Sequence, residues 1–131
     1  GAASPFSNVI DKYSFSTNGN ATDVGDLASS RSPDGGGNSS ATDGYTNGGY
    51  NGGNDINIDK FSFSSDGNST DIGDMVVNTR HPVSTSSTTH GYMGGGLSTN
   101  QIQRHSFSSS GNSVDWADLT VERLQGAGSQ V

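Results

Sequence analysis

One phrase is written three times in this chain. "GNATDVGDL" at residues 19–27 returns as "GNSTDIGDM" at 67–75 and as "GNSVDWADL" at 111–119. Each copy is preceded by a second shared word: Ile10-Asp11-Lys12-Tyr13-Ser14-Phe15 matches Ile58-Asp59-Lys60-Phe61-Ser62-Phe63, then Ile102-Gln103-Arg104-His105-Ser106-Phe107. The offsets are 48 and 44 residues, and Asp26, Asp74 and Asp118 keep them. Arg31, Arg80 and Arg123 follow within a residue of that register. Periods in the forties belong to propeller blades or to paired-helix solenoids. Glycine content and the lack of any 3.6-residue apolar pattern remove the second.

Inside each unit the pattern is that of a hairpin. A short run ending in Phe15, Phe63 or Phe107 leads into "TNGN", "SDGN" or "SSGN", and a second run follows. Asn-Gly and Asp-Gly turn the chain because glycine accepts positive φ and Asn or Asp tolerates it. Further strands are expected at 39–49 and 86–96, each holding a Gly-Tyr pair and closing on a glycine pair, with Tyr45 and Tyr92 as buried anchors. The units run from about 8 to 49, 56 to 95 and 100 to 131, the last incomplete.

Apolar residues make up only 27% of the chain, too few for a helical core, yet aromatics recur at fixed places, which favours order over disorder. A net charge of −7 opposes binding to phosphate backbones, so no nucleic-acid partner is expected. No apolar run reaches the roughly 18 residues of a membrane span. Cysteine is absent, which removes disulfides and thiol chemistry.

The residues resemble the kelch repeat. In order come Gly48-Gly49, the run 58–63, the turn, the run 71–75, Arg80, Tyr92 and Gly94-Gly95, and Trp116 stands where that family carries tryptophan. Val24 and Ile72 at the same place in the other units depart from the pattern. The Ser/Gly-rich wording is also similar to repeats of long virion proteins, of the tail or fibre type, from marine and cyanobacterial phages. The resemblance implies an all-β chain of about two and a half to three kelch-like β-propeller blades. Phe15, Phe63 and Phe107, with Leu27, Met75 and Leu119, would then lie between blades, and each Asp would bond turn amides or its Arg. Too few blades are present to close a ring, so completion by a homo-oligomer or a larger virion assembly is expected. A β-roll or β-solenoid is the alternative fold.

No nucleophile stands beside a base, and the sequence is read as non-enzymatic. His81, His90 and His105 lack zinc spacing. Asp66, Asn68, Thr70 and Asp71 alternate like a calcium loop, but Asn18 and Ser110 replace Asp66 in the other units and the bidentate twelfth-position Glu is missing. No metal or cofactor is therefore assigned, calcium being the one considered. Polar loops rich in Ser, Asn, Gly and Tyr suit adaptable hydrogen bonding. Asn47, Tyr50, Asn51, Asn54, His81 and His90 are the expected contacts for a cell-surface glycan or protein receptor, in a virion or extracellular setting. A purely architectural self-assembling subunit and a kelch-type interaction adaptor are the competing functions.

Overall fold

The structure, a computed structural model, describes residues 6–32, 34–124, 126 and 128. Among them there is no helix, and hence none able to cross a membrane. The end of the third unit, "LQGAGSQV", lies mostly outside the described residues.

The described residues form ten strands in three antiparallel sheets. Sheet one pairs β1 (Ser7–Lys12) with β2 (Thr22–Arg31). Sheet two runs β3 (Gly36–Ser39), β4 (Asp43–Tyr50), β5 (Asn54–Ser62) and β6 (Thr70–Asp74). Sheet three repeats that meander with β7 (Val83–Ser86), β8 (His90–Gly94), β9 (Gln101–Ser106) and β10 (Val114–Asp118). The repeated words are the hairpins β1–β2, β5–β6 and β9–β10, so the sequence units and the sheets are out of phase. A unit taken as 56–95 begins in sheet two and finishes in sheet three.

Each repeated hairpin carries the same bulge. Ile10, Ile58 and Ile102 face Gly25, Gly73 and Ala117, while the next residue of the first strand skips one position, leaving Val24, Ile72 and Trp116 as the extra residues. The bulge exposes a strip of backbone that the next unit uses. The amides of Gly67 and Ser69, in the β5–β6 turn, donate to the carbonyls of Val24 and Asp26 at 2.8 Å each, and those of Gly111 and Ser113 donate to Ile72 and Asp74 at the same length. In return the amides of Asp26 and Asp74 donate to the side-chain oxygens of Asn68 and Asn112 at 3.0 Å. The turn of one unit is thus bolted to the strand of the unit before it. Only glycine fits beneath: a Cβ on Gly25 would stand 2.2 Å from the Gly67 carbonyl oxygen, and one on Gly73 2.4 Å from that of Gly111.

The apolar core is small, as the composition requires: Tyr45, Ile58, Met75 and Met93 are buried, with Ile56, Ile72 and Phe107 packed on them. Phe107 stacks on Tyr45 of the preceding sheet at 4.8 Å. The expected layer of three phenylalanines is not uniform, because Phe63 is 50% and Phe15 95% exposed. Among the described residues sheet one has two strands, and no tyrosine strand stands in front of either ring. For the same reason Tyr45 is buried and Tyr92 only half-buried, no described sheet following sheet three. Leu27 and Leu119 are half-buried.

Candidate functional site

Meander topology sends alternate turns to the same end. The β3–β4 and β7–β8 turns, with the start of the β9–β10 turn, surround an open cleft of about 520 Å³ lined by Ser40, Thr42, Asp43, Thr89, His90 and Phe107 among others. The first two turns are built alike. Ser40 Oγ accepts from the Asp43 amide at 3.0 Å, and Ser87 Oγ from the His90 amide at 3.1 Å. Each fixes the residue that precedes a Gly-Tyr pair. Thr42 Oγ1 then donates to Asp43 Oδ2 at 2.7 Å, and Thr89 Oγ1 bonds His90 Nδ1 at 2.9 Å. A carboxylate and an imidazole are therefore held at equivalent places on neighbouring sheets. Lys60 Nζ stands 3.5 Å from Asp43, and Ser106 Oγ bonds Ser108 Oγ at 2.9 Å on the third side. Chemically the cleft offers hydroxyls, one carboxylate, one imidazole and an aromatic ring, a set that pairs hydrogen bonds with an apolar face.

The buried polar groups lie elsewhere and are engaged with one another. Arg31 bonds Asp59, reaches Thr46 Oγ1 at 2.9 Å and stands 3.4 Å from Asp55. Burial pushes the Asp59 carboxyl above the usual carboxylate range against the pull of that guanidinium. Where the sequence suggests Arg31 for Asp26, the guanidinium is turned inward to sheet two. Between sheets two and three, Asn47 donates to Asn38 Oδ1, Asn38 donates to the Thr85 carbonyl at 2.6 Å, and His105 Nε2 lies 3.4 Å from Asn38 Oδ1. Burial lowers the His105 pKa to about 4, so the ring is neutral at neutral pH. Gln103 plays the part of Asp59 in sheet three, accepting from Ser113 Oγ at 2.7 Å.

The expected contact residues do not form one surface. His90 lines the cleft, whereas Tyr50, Asn51, Asn54 and His81 belong to the opposite end of the strands, where Arg80 lies over the Tyr50 ring at 5.0 Å. Asn47 is fully buried within β4 and has no surface to offer. Asp43, Thr42, Thr89 and the serines at 106 and 108 are cleft residues that sequence reasoning misses. Their signal is the parallel wording "SATDGY" and "STTHGY".

The framework residues fall into place individually. Gly48 and Gly49 take φ of 67° and 133° at the bulge of β4, and a Cβ on Gly48 would meet the Met75 methyl at 2.8 Å. In sheet three the positive angles fall at Gly95 and Gly96, which stand where Gly48 and Gly49 do in sheet two, while Gly94 of the expected pair takes the place of Asn47 in the strand. Asp26 and Asp74 serve through their backbone, as described, and Asp118 ends β10. Arg123 is exposed, its carbonyl accepting from the Gly96 amide, and Trp116 lies under Arg104 with 3.3 Å from guanidinium carbon to ring centre.

Three of the four calcium candidates make contacts within the protein. Asp66 pairs with Lys12 at 2.9 Å, Asn68 holds the Asp26 amide, and Asp71 accepts from the Gly73 amide at 3.1 Å. Among the described residues no three acidic or histidine side chains converge as a metal site.

Compared with known proteins, the chain matches no family, and no curated protein is significantly similar to it.

Proposed function

We propose that this protein is a non-enzymatic binding module of a virion or another extracellular assembly, built from divergent kelch-like blades and taking a glycan or a glycosylated receptor in the cleft beside Asp43 and His90. The observation that carries the reading is the cleft itself. Two identically built Ser-Thr turns present a carboxylate and an imidazole side by side, next to the half-buried Phe107 ring. Sugars are recognised by that combination, hydroxyls meeting fixed polar groups while a ring face covers the C–H surface. The blade reading draws support from two successive four-stranded meanders, each preceded by a sheet that its own turn grips. The virion setting rests on the wording of the repeats alone.

A glycan array probed with the intact protein tests this. Binding to a restricted set of glycans that is reduced roughly tenfold or more by Asp43→Ala or His90→Ala is expected. Indifference of every binding signal to both substitutions, or no binding at all, contradicts the reading. A second reading, a self-assembling architectural subunit, is favoured by the edge of β1, unpaired among the described residues, with the exposed Tyr13 and Phe15 beside it. Light scattering distinguishes it through a discrete oligomer in the absence of any ligand.

A further inference from the structure

The two bolted junctions, sheet one to sheet two and sheet two to sheet three, differ in one charge. At the first, Lys12 of β1 donates to Asp66 Oδ1 in the β5–β6 turn at 2.9 Å. Lys60 of β5 is the counterpart of Lys12, each lysine facing a threonine across its hairpin, Thr70 and Thr22. Ser110 of the β9–β10 turn is the counterpart of Asp66. Lys60 and Ser110 line one small pocket between sheets two and three. The carboxylate that the first junction takes from its own turn is therefore missing from the second.

The pocket measures about 110 Å³, and Tyr45, Ser106, Phe107 and Ser108 are among its walls. Lys60 Nζ has Asp43 at 3.5 Å, beyond the ~2.7–3.2 Å of a direct N–H···O bond. The Tyr45 hydroxyl is buried and has no hydrogen-bond partner among the described residues. Burial raises its pKa, so it keeps its proton and stays a donor. Buried donors are ordinarily satisfied, because leaving one unpaired is costly. The pocket adjoins the Asp43–His90 cleft, Ser106, Phe107 and Ser108 lining both.

We propose that this pocket receives the carboxylate of an acidic sugar, whose oxygens stand against Lys60 as those of Asp66 stand against Lys12. The proposal rests on the reading of the neighbouring cleft as a glycan site and narrows it to glycans that carry a carboxylate. Asp43 and His90 meet the hydroxyls of the sugar, and its acidic substituent reaches past Phe107 to Lys60. Bonds from an ammonium to a carboxylate are about twice as strong as neutral ones, so a neutral sugar in the same cleft is held less well. The net charge of −7 does not decide the matter, because charges more than about 8 Å away are screened at physiological salt while Lys60 acts in contact.

The test is a titration of the intact, isotopically labelled protein with methyl glucuronide, and with methyl glucoside as its neutral twin, read from amide shifts. Saturating shifts at Lys60 and at 108–110 are expected with the glucuronide, and binding of the glucoside roughly tenfold or more weaker. Ser110→Asp supplies the second junction with the carboxylate of the first. It lies in an exposed turn, and it should weaken glucuronide binding by a similar factor while the rest of the spectrum stays that of the folded protein. Lys60→Gln should do the same by removing the charge. No saturable shift at 60 and 108–110, equal affinity for the two sugars, or glucuronide binding undiminished in both variants would each overturn the proposal. The two readings fail differently. Equal binding of both sugars with shifts at Asp43 and His90 keeps the glycan cleft and refutes the carboxylate pocket, whereas glucuronide binding that needs Lys60 but ignores Asp43→Ala and His90→Ala keeps the pocket and refutes the cleft.

Discussion

His105 shows how one position reads differently in each unit. Tyr13, Phe61 and His105 occupy the same place, but only His105 is enclosed, lying against Tyr45 with Asn38 at its Nε2 and no partner for its buried Nδ1. Its folded pKa of about 4 lies below the ordinary histidine value of 6.5. A depressed base contributes stability that is complete above 6.5 and lost as pH falls toward 4, amounting to roughly 3 kcal/mol once protonation is forced. Asp59, whose carboxyl is raised by burial, acts with the opposite sign, its contribution waning as pH rises through its own folded pKa. Comparing wild type with His105→Phe separates the two. The substitution copies sheet two, where Phe61 packs over Gly44 as His105 does over Gly91. Denaturant unfolding from pH 7.5 to 4 should show the variant losing less stability across the window than wild type. Parallel curves would remove His105 as the cause.

At the scale of elements, the bolt between hairpins depends on a glycine at the bulge. Gly73→Ala and Gly25→Ala are expected to cost roughly 2–4 kcal/mol, since backbone must move to admit the Cβ. In thermal unfolding that is a fall of about 10 °C. Ala117 stands at the same place in β10, where no described turn sits upon it. Ala117→Gly should therefore change stability by no more than the ~1 kcal/mol that a strand glycine itself costs. Equal effects at all three positions would mean that the close approach is not what these glycines serve.

The same elements mark the limit of what the sequence makes legible. The repeated hairpins are legible because their turns are local: Asn-Gly and Asp-Gly reverse the chain wherever they stand. So is the burial of Tyr45, announced by its Gly-Tyr pair. Partners chosen across sheets are not local, and there sequence reasoning fails. Arg31 turns to Asp59 and Asp55, 28 and 24 positions further along, because a buried guanidinium needs buried carboxylates and Asp26 lies at the bolt. Phe15 repeats Phe63 and Phe107 letter for letter, yet it is exposed because no described sheet precedes sheet one to cover it as Tyr45 covers Phe107. Asn47 has the look of a loop residue in a run of Asn and Gly, but β4 passes through that run and carries it inside.

For the whole molecule, order with so little apolar material comes from linking small sheets in series. Four buried apolar side chains are supplemented by Arg31, Asn38, Asn47, Asp55, Asp59, Gln103 and His105, nearly all of them bonded to a residue far along the chain. Asp66 and Asp71, from the calcium-like loop, bond Lys12 and the Gly73 amide. Chelation of divalent cations should leave the unfolding temperature and the mass in solution unchanged, and a drop in either would show that a cation staples the sheets. In this arrangement the repeated words form the frame, while the turns that end in Asp43 and His90 lie outside it.

Native-state hydrogen exchange, followed amide by amide, tests that division most directly, because the first unit supplies an internal control. Gly67, Ser69, Gly111 and Ser113 sit in turns, where amides ordinarily exchange fast, but each donates to the preceding sheet at 2.8 Å. Gly19, in the same phrase of the first unit, has no described sheet before it to accept from its amide. The frame account predicts ladder-like protection at the four bolted amides and rapid exchange at Gly19 and Ala21. Exchange at Gly67 and Gly111 as fast as at Gly19 would contradict it.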